Sequence, residues 1–177
     1  MKDEKLRLKK RTKTPGKSKA ARAAAASPVL LGGMALALGV RLLSLSRKKV
    51  IAEMRIKPFH INRTGRVNGG AIMAFADVLG AVGTVANLPP GYRTATLESK
   101  TNFFAAGERP AVSAVSIPLH RGRTTMVWQT TIRNPDRRKV AIVTQTQIVI
   151  PARADAAPAQ DKRKPPAARR KRAAQTK

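Results

Sequence analysis

Asp77 is the residue in this chain whose surroundings suit it least. It lies within HINRTGRVNGGAIMAFADVLGAVGTVAN, residues 60–87. This stretch reads as a loop ending in a glycine pair, then about five turns of apolar helix. Asp77 is the only acidic residue between Glu53 and Glu98, and its neighbours are Met73, Phe75, Val78 and Leu79. A carboxylate in such company is costly unless it has partners or is held neutral, and chains accept that cost mainly at functional sites. An Asp facing water on the polar side of an amphipathic helix would need no such explanation. However, Ala74, Ala81 and Thr84 on the same helical face are small rather than charged. Asp77 is therefore the first candidate for chemistry.

Other chemistries are poorly provided for. Cysteine is absent, which removes disulfides, thiolate nucleophiles and Cys-based metal sites and suits a reducing, cytoplasmic setting. His60 and His120 are the only histidines, too few for most zinc or iron sites, so no metal and no cofactor is expected. There is no Gly-x-Ser-x-Gly elbow, no Walker loop and no dinucleotide fingerprint.

The elements that must position Asp77 belong to a central domain between two basic tails. Residues 1–27 carry ten Lys/Arg against two acids, and residues 152–177 carry nine against two. Residues 28–151 carry seventeen against five and hold every aromatic residue. The tails lack apolar periodicity and are expected to be disordered. Nucleic acid or an anionic surface could bind them by counterion release. No aromatic is interleaved for base stacking, so a solvated tail is the preferred reading. The uncharged run Ala23–Val40 has 18 residues, at the lower limit of a membrane span, but is interrupted by Pro28, Gly32, Gly33 and Gly39. A short helix over about 28–38, with Ser27 as N-cap and Pro28 at its first position, is preferred to membrane insertion.

Within the domain, Arg41–Ile56 alternates around Lys48-Lys49 and predicts a two-stranded unit or one bent strand. A loop at 58–69 and a helix over about Gly70–Asn87 follow, the helix stopped by Pro89-Pro90-Gly91. Four further strands are predicted at Thr94–Phe104, Ala111–His120, Thr124–Arg133 and Val140–Ile150, joined by short turns. Such a run gives an antiparallel meander, and the single long helix must bury itself against it. The fold class is α+β: five or six antiparallel strands wrapped around one central helix. Open sheet edges favour a homodimer or homotetramer.

The order strand, loop, Gly-Gly, helix, antiparallel strands, with His60-x-Asn62-x-x-Gly65-x-x-Asn68-Gly69-Gly70 and then Asp77, resembles the hotdog-fold thioesterases. It is most similar to the phenylacetate-degradation-type (PaaI-like) acyl-CoA thioesterases. Residues 96–104 (TLESKTNFF), Gly107 and His120-Arg121-Gly122-Arg123-Thr124 fit as well, and the likeness covers about Arg41–Pro151. The resemblance implies hydrolysis of acyl-CoA thioesters at a dimer interface. It assigns the general base or nucleophile to Asp77 and the carbonyl-polarising amide to Gly69. It gives Asn62 the positioning of water or substrate, and makes Thr96 the hydroxyl residue of the following strand. The amides at a helix N-terminus lack intrahelical partners and sit at the positive end of the macrodipole, where an oxyanion is best stabilised. Glycines at 69 and 70 let a substrate carbonyl approach the backbone. Asp77, two turns further on, is too far to serve its own Gly69, so one chain's Asp must meet the other's Gly.

The family pattern usually carries His where this chain has Asn68, and Asn can hydrogen-bond a carbonyl but cannot carry a proton. His60 is read as structural and His120 as surface. Coenzyme A carries several phosphates, for which Arg121 and Arg123, or Arg137, Arg138 and Lys139, are candidates. Trp128, Phe103 and Phe104 are expected in the core or an interface. Two other functions stay open: a module that binds acyl-CoA without cleaving it, and nucleic-acid association through the tails.

Overall fold

The computed structural model describes residues 31–152. The tail assignments and the Ser27-Pro28 helix start lie outside the described residues. The order of elements is α1 (Met34–Ala37), β1 (Val40–Ser46), β2 (Lys49–Arg55), α2 (Gly69–Val85), β3 (Tyr92–Phe103), β4 (Ala111–Arg121), β5 (Thr125–Arg133) and β6 (Lys139–Pro151). A single 3-10 turn at Pro58–His60 opens the loop before α2. No helix among the described residues is long and apolar enough to cross a membrane.

Four strand expectations hold to within two residues, and Arg41–Ile56 resolves into the hairpin β1–β2. The expected helix over 28–38 is corrected. Among the described residues of that span, 31–38, only Met34–Ala37 is helical, because Gly33 precedes it at φ 49°, outside the helical region. The plain meander is also corrected. The six-stranded sheet runs β1-β2-β4-β5-β6-β3. After α2 the chain enters the far edge, pairs β3 with β6, and returns to set β4 beside β2. This order lets the strands before and after the helix clasp it from both margins of one sheet.

α2 lies on the concave face, and its buried row of Ile72, Phe75, Ala76, Leu79 and Val82 meets Val50, Ala52 and Met54 of β2, Val112 and Ala114 of β4, and Trp128 and Ile132 of β5. Trp128 is fully buried, as expected of a core aromatic. The helix can approach this closely because Gly83 faces the indole, where an added Cβ would come within 2.7 Å of the ring. The opposite face of the sheet is also partly apolar: Val115, Ile117 and Leu119 of β4 are exposed.

Candidate functional site

The helix begins at Gly69, with Asn68 as N-cap. The Asn68 side-chain oxygen accepts from the Gly70 amide at 2.7 Å. That bond satisfies one orphan donor of the first turn and removes Gly70 N–H from the groups open to a ligand. The Gly69 amide donates to no protein group among the described residues. Asn68, standing where the family pattern has His, is therefore engaged in the cap. The space beside Gly69 is occupied by Phe103, whose Cζ would lie 3.2 Å from an added Cβ. Phe103 and Phe104, expected in the core or an interface, are exposed on this chain.

The loop before the cap is held by its own polar groups. Asn62 Oδ1 accepts from Thr64 N, Thr64 Oγ1 and Arg66 N at 2.9, 2.7 and 3.1 Å. This is an Asx-type turn that shapes the loop, and it uses the oxygen of Asn62 fully. His60 is 1 % exposed, and its Nδ1 accepts from the Lys57 amide at 3.0 Å. The ring is thereby neutral with its proton on Nε2, and burial and the Lys57 ammonium push its pKa below the usual value. The structural reading of His60 holds. His120 is exposed, as expected.

Asp77 sits half-buried on α2, eight residues from Gly69, which is about 12 Å along the axis. The burial that its apolar neighbours suggest is corrected to a place at the margin of the core. The carboxylate lines a cleft of about 300 Å³ between α2 and the segment carrying α1, with Met34, Ala35, Ala74, Val78 and Ala81. Its Oδ1 accepts from Thr96 Oγ1 at 2.8 Å and from Gln145 Nε2 at 3.2 Å. Thr96 Oγ1 in turn accepts from Gln147 Nε2 at 2.7 Å. Thr96, a candidate from the sequence, thus touches Asp77 directly. Gln145 and Gln147, both fully buried, were missed. They stand out only once β6 is seen to turn them inward, where two amides interrupt an otherwise apolar core-facing row.

β3 brings hydroxyls, not hydrocarbons, to the helix. A bulge at Leu97 keeps Thr94, Thr96, Ser99 and Thr101 on one face, opposite Val149, Gln147, Gln145 and Val143. Its outer edge pairs with no strand among the described residues, and Leu97 is 59 % exposed there.

The basic candidates separate into two groups. Arg138 pairs with Glu108 of the β3–β4 loop and lies 3.7 Å from Asp136, so its guanidinium is already matched by carboxylates. At the other end of the sheet Arg47, Lys48, Lys49, Arg121 and Arg123 gather on the β1–β2 and β4–β5 turns. Neither turn contains a carboxylate. Arg121 Nη1 donates to Asn87 Oδ1 at 3.3 Å just past the end of α2, tying this basic rim to the helix.

The thioesterase superfamily family model matches residues 64–141, from the loop before α2 to the start of β6. A Deinococcus radiodurans protein named "Putative esterase" is 32 % identical over 124 residues, 68 % of this chain and 76 % of that protein. The 1,4-dihydroxy-2-naphthoyl-CoA hydrolase of Listeria monocytogenes is 21 % identical over 110 residues, 62 % of this chain and 89 % of the relative. A hypothetical thioesterase protein from Streptococcus pneumoniae, crystallised with coenzyme A, superposes with a TM-score of 0.59 at 23 % identity, covering 65 % of this chain and 88 % of its own. On these matches and the helix-wrapping sheet above, the chain belongs to the thioesterase superfamily, has its hotdog fold, and is a hydrolase of that kind.

Proposed function

We propose that this protein hydrolyses acyl-CoA thioesters to the free acid and CoA, working across the interface of a homodimer. The observation that carries this reading is the state of Asp77. One carboxylate oxygen is held by Thr96 and Gln145, while Oδ2 accepts from no described residue and the group lines an open cleft. An anchored carboxylate with one uncommitted oxygen suits either of two roles. As a general base it takes a proton from water as that water adds to the thioester carbon; as a nucleophile it attacks the carbon itself. In both cases the carbonyl oxygen gains charge, the C–S bond breaks, and the thiolate leaves to take up a proton; on the nucleophilic route water then cleaves the acyl–Asp77 anhydride, releasing the acid and restoring the carboxylate. The free Gly69 amide at the N-terminus of α2 suits that developing charge.

Roughly 12 Å separates Gly69 from Asp77 along one helix, which is too far for one carbonyl. A two-fold axis that sets two α2 helices antiparallel brings each Asp77 toward the other chain's Gly69. The unpaired β3 edge with Leu97 is a natural seam for this pairing, since a free edge carries unmatched N–H and C=O groups. The exposed row Val115, Ile117 and Leu119 on the sheet's outer face would let two dimers stack as a homotetramer.

CoA is favoured over simpler thioesters by the basic rim at the end of α2. Arg121 and Arg123, with Arg47 and Lys48 across from them, offer guanidinium and ammonium donors for phosphates. They lie about 15 Å along the helix from Asp77, a distance that a phosphate-bearing carrier arm can span. The CoA bound to the Streptococcus pneumoniae protein and the CoA hydrolase name of the Listeria relative support the same choice.

The test is a thiol-release assay over short, long and aryl acyl-CoAs with the native chain and Asp77→Asn. Asparagine keeps an oxygen for Thr96 and Gln145, so folding persists while turnover falls by about 100-fold or more. Full activity in Asp77→Asn would refute the mechanism. Tight acyl-CoA binding without thiol release would instead select the binding module.

A further inference from the structure

β6 turns Ala141, Val143, Gln145, Gln147 and Val149 toward the helix, and all five are buried. The packing position asks for hydrocarbon throughout, since a buried primary amide is tolerated only with partners. Here both amides are spent on one group. Thr94 Oγ1 has one proton and two acceptors within reach, Gln147 Oε1 at 2.9 Å and the Ile148 carbonyl at 2.8 Å, while Gln147 Nε2 donates to Thr96 Oγ1 at 2.7 Å. Thr96 Oγ1 accepts that bond and has a single proton left, directed at Asp77 Oδ1. Gln145 Nε2 reaches the same oxygen at 3.2 Å and the Asp77 carbonyl at 3.3 Å, while Gln145 Oε1 stays buried with no partner. Reversing the Gln145 amide would aim an oxygen at the carboxylate, so Asp77 fixes its orientation. Gly80 makes the approach possible, because a Cβ there would stand 2.3 Å from Gln145 Cδ.

We infer that Gln145 and Gln147 are positioning residues for the hydrolysis, together holding Asp77 by Oδ1 so that Oδ2 faces the reacting carbonyl. This rests on the catalytic reading of Asp77 above. Neither amide touches substrate; Gln147 acts through Thr96, and Gln145 directly on the carboxylate. Their effect therefore falls on the chemical step and not on acyl-CoA binding.

The experiment uses the full chain with Gln145→Met and Gln147→Met, unbranched apolar replacements of similar length. With an acyl-CoA that the native chain cleaves, kcat falls tenfold or more in each variant and KM stays within twofold. A parallel thermal-stability cycle needs no activity. Gln145→Met lowers Tm in the native background by clearly more than in an Asp77→Ala background, where the amide keeps only its 3.3 Å contact with the main-chain carbonyl of residue 77. Equal Tm changes in both backgrounds would overturn the inference, since the amides would then only pack. An unchanged kcat with a raised KM would also overturn it, by placing them on the substrate. If the native chain releases no thiol from any acyl-CoA, the proposed activity fails separately, and the stability cycle decides whether the amides hold Asp77.

Discussion

Replacing Gly80 by alanine puts the helix and the Asp77 network in direct conflict. In an ordinary helix interior the change is favourable by about 1 kcal/mol, because glycine loses more backbone freedom on folding. Here the new Cβ would meet three atoms of the Gln145 amide at 2.3–2.5 Å. The amide must leave its place, giving up its bond to the carboxylate, worth about 1.5–3 kcal/mol. Forcing the extra methyl into a filled site adds about 1–3 kcal/mol. The net loss is about 1.5–5 kcal/mol, or a Tm lower by roughly 5–20 °C for a domain of this size. Gly83→Ala is the matched control. Its Cβ would strike the Trp128 ring at 2.7–2.8 Å, costing packing but breaking no bond to Asp77. Thermal melts with thiol-release kinetics separate the two: both variants melt lower, and only Gly80→Ala also loses kcat. Adding Gln145→Ala to Gly80→Ala opens space and raises Tm above that of the single variant. A Gly80→Ala protein that melts higher than the native chain with full turnover would refute the reasoning, because Gln145 would then not be held against the helix.

Three further perturbations probe other parts of the fold. His60 is neutral and its pKa lies below 6.5, first through burial and then through Lys57. The unfolded chain thus takes up a proton at a higher pH than the folded one. The stability it contributes is complete above pH 6.5 and is lost as pH falls through the lowered folded value. His60→Asn, which offers Lys57 N–H an oxygen acceptor, should make Tm less dependent on pH between 7.5 and 5. Arg121→Ala with Arg123→Ala should raise KM for acyl-CoA several-fold more than for a thioester lacking the nucleotide, with kcat little changed; equal effects on both substrates would remove the phosphate role. Leu97→Glu places a carboxylate on the free β3 edge and should shift the protein to monomer in sedimentation while cutting turnover at least tenfold. A fully active monomer would sink the cross-subunit site.

What the sequence made legible follows from the range of the signal. Alternation along β5, where Met126, Trp128, Thr130 and Ile132 face inward, is a local pattern, and so is the Pro89-Pro90-Gly91 stop after α2. Both survived into the structure within two residues. The partner of β3 was not local. Short turns argued for β3 beside β4, but burying α2 from both margins of the sheet required β3 to pair with β6. Arg138 looked like part of a free basic cluster until Glu108, thirty residues away, was brought against it. Asn68 read as a weakened substitute for a proton carrier, and only its geometry showed the side chain committed to the Gly70 amide.

The two glutamines show why part of the site stayed hidden although its elements were correctly drawn. The motif around α2 announces itself because an acid among hydrocarbons is anomalous on its own strand of text. Gln145 and Gln147 are anomalous only once β6 is known to turn those positions inward, since a neutral amide at alternate positions otherwise reads as a solvated face. The family match ends at residue 141, before either of them. Their inward direction, the Leu97 bulge that keeps Thr96 in line with Gln147, and the missing side chain at Gly80 are three independent features of sequence. They share one physical consequence: each leaves room for, or supplies, a hydrogen bond that ends at Asp77. A core that tolerates two buried amides, one with an unpaired oxygen, at positions where valine would pack is a core whose sequence is constrained by the carboxylate it surrounds.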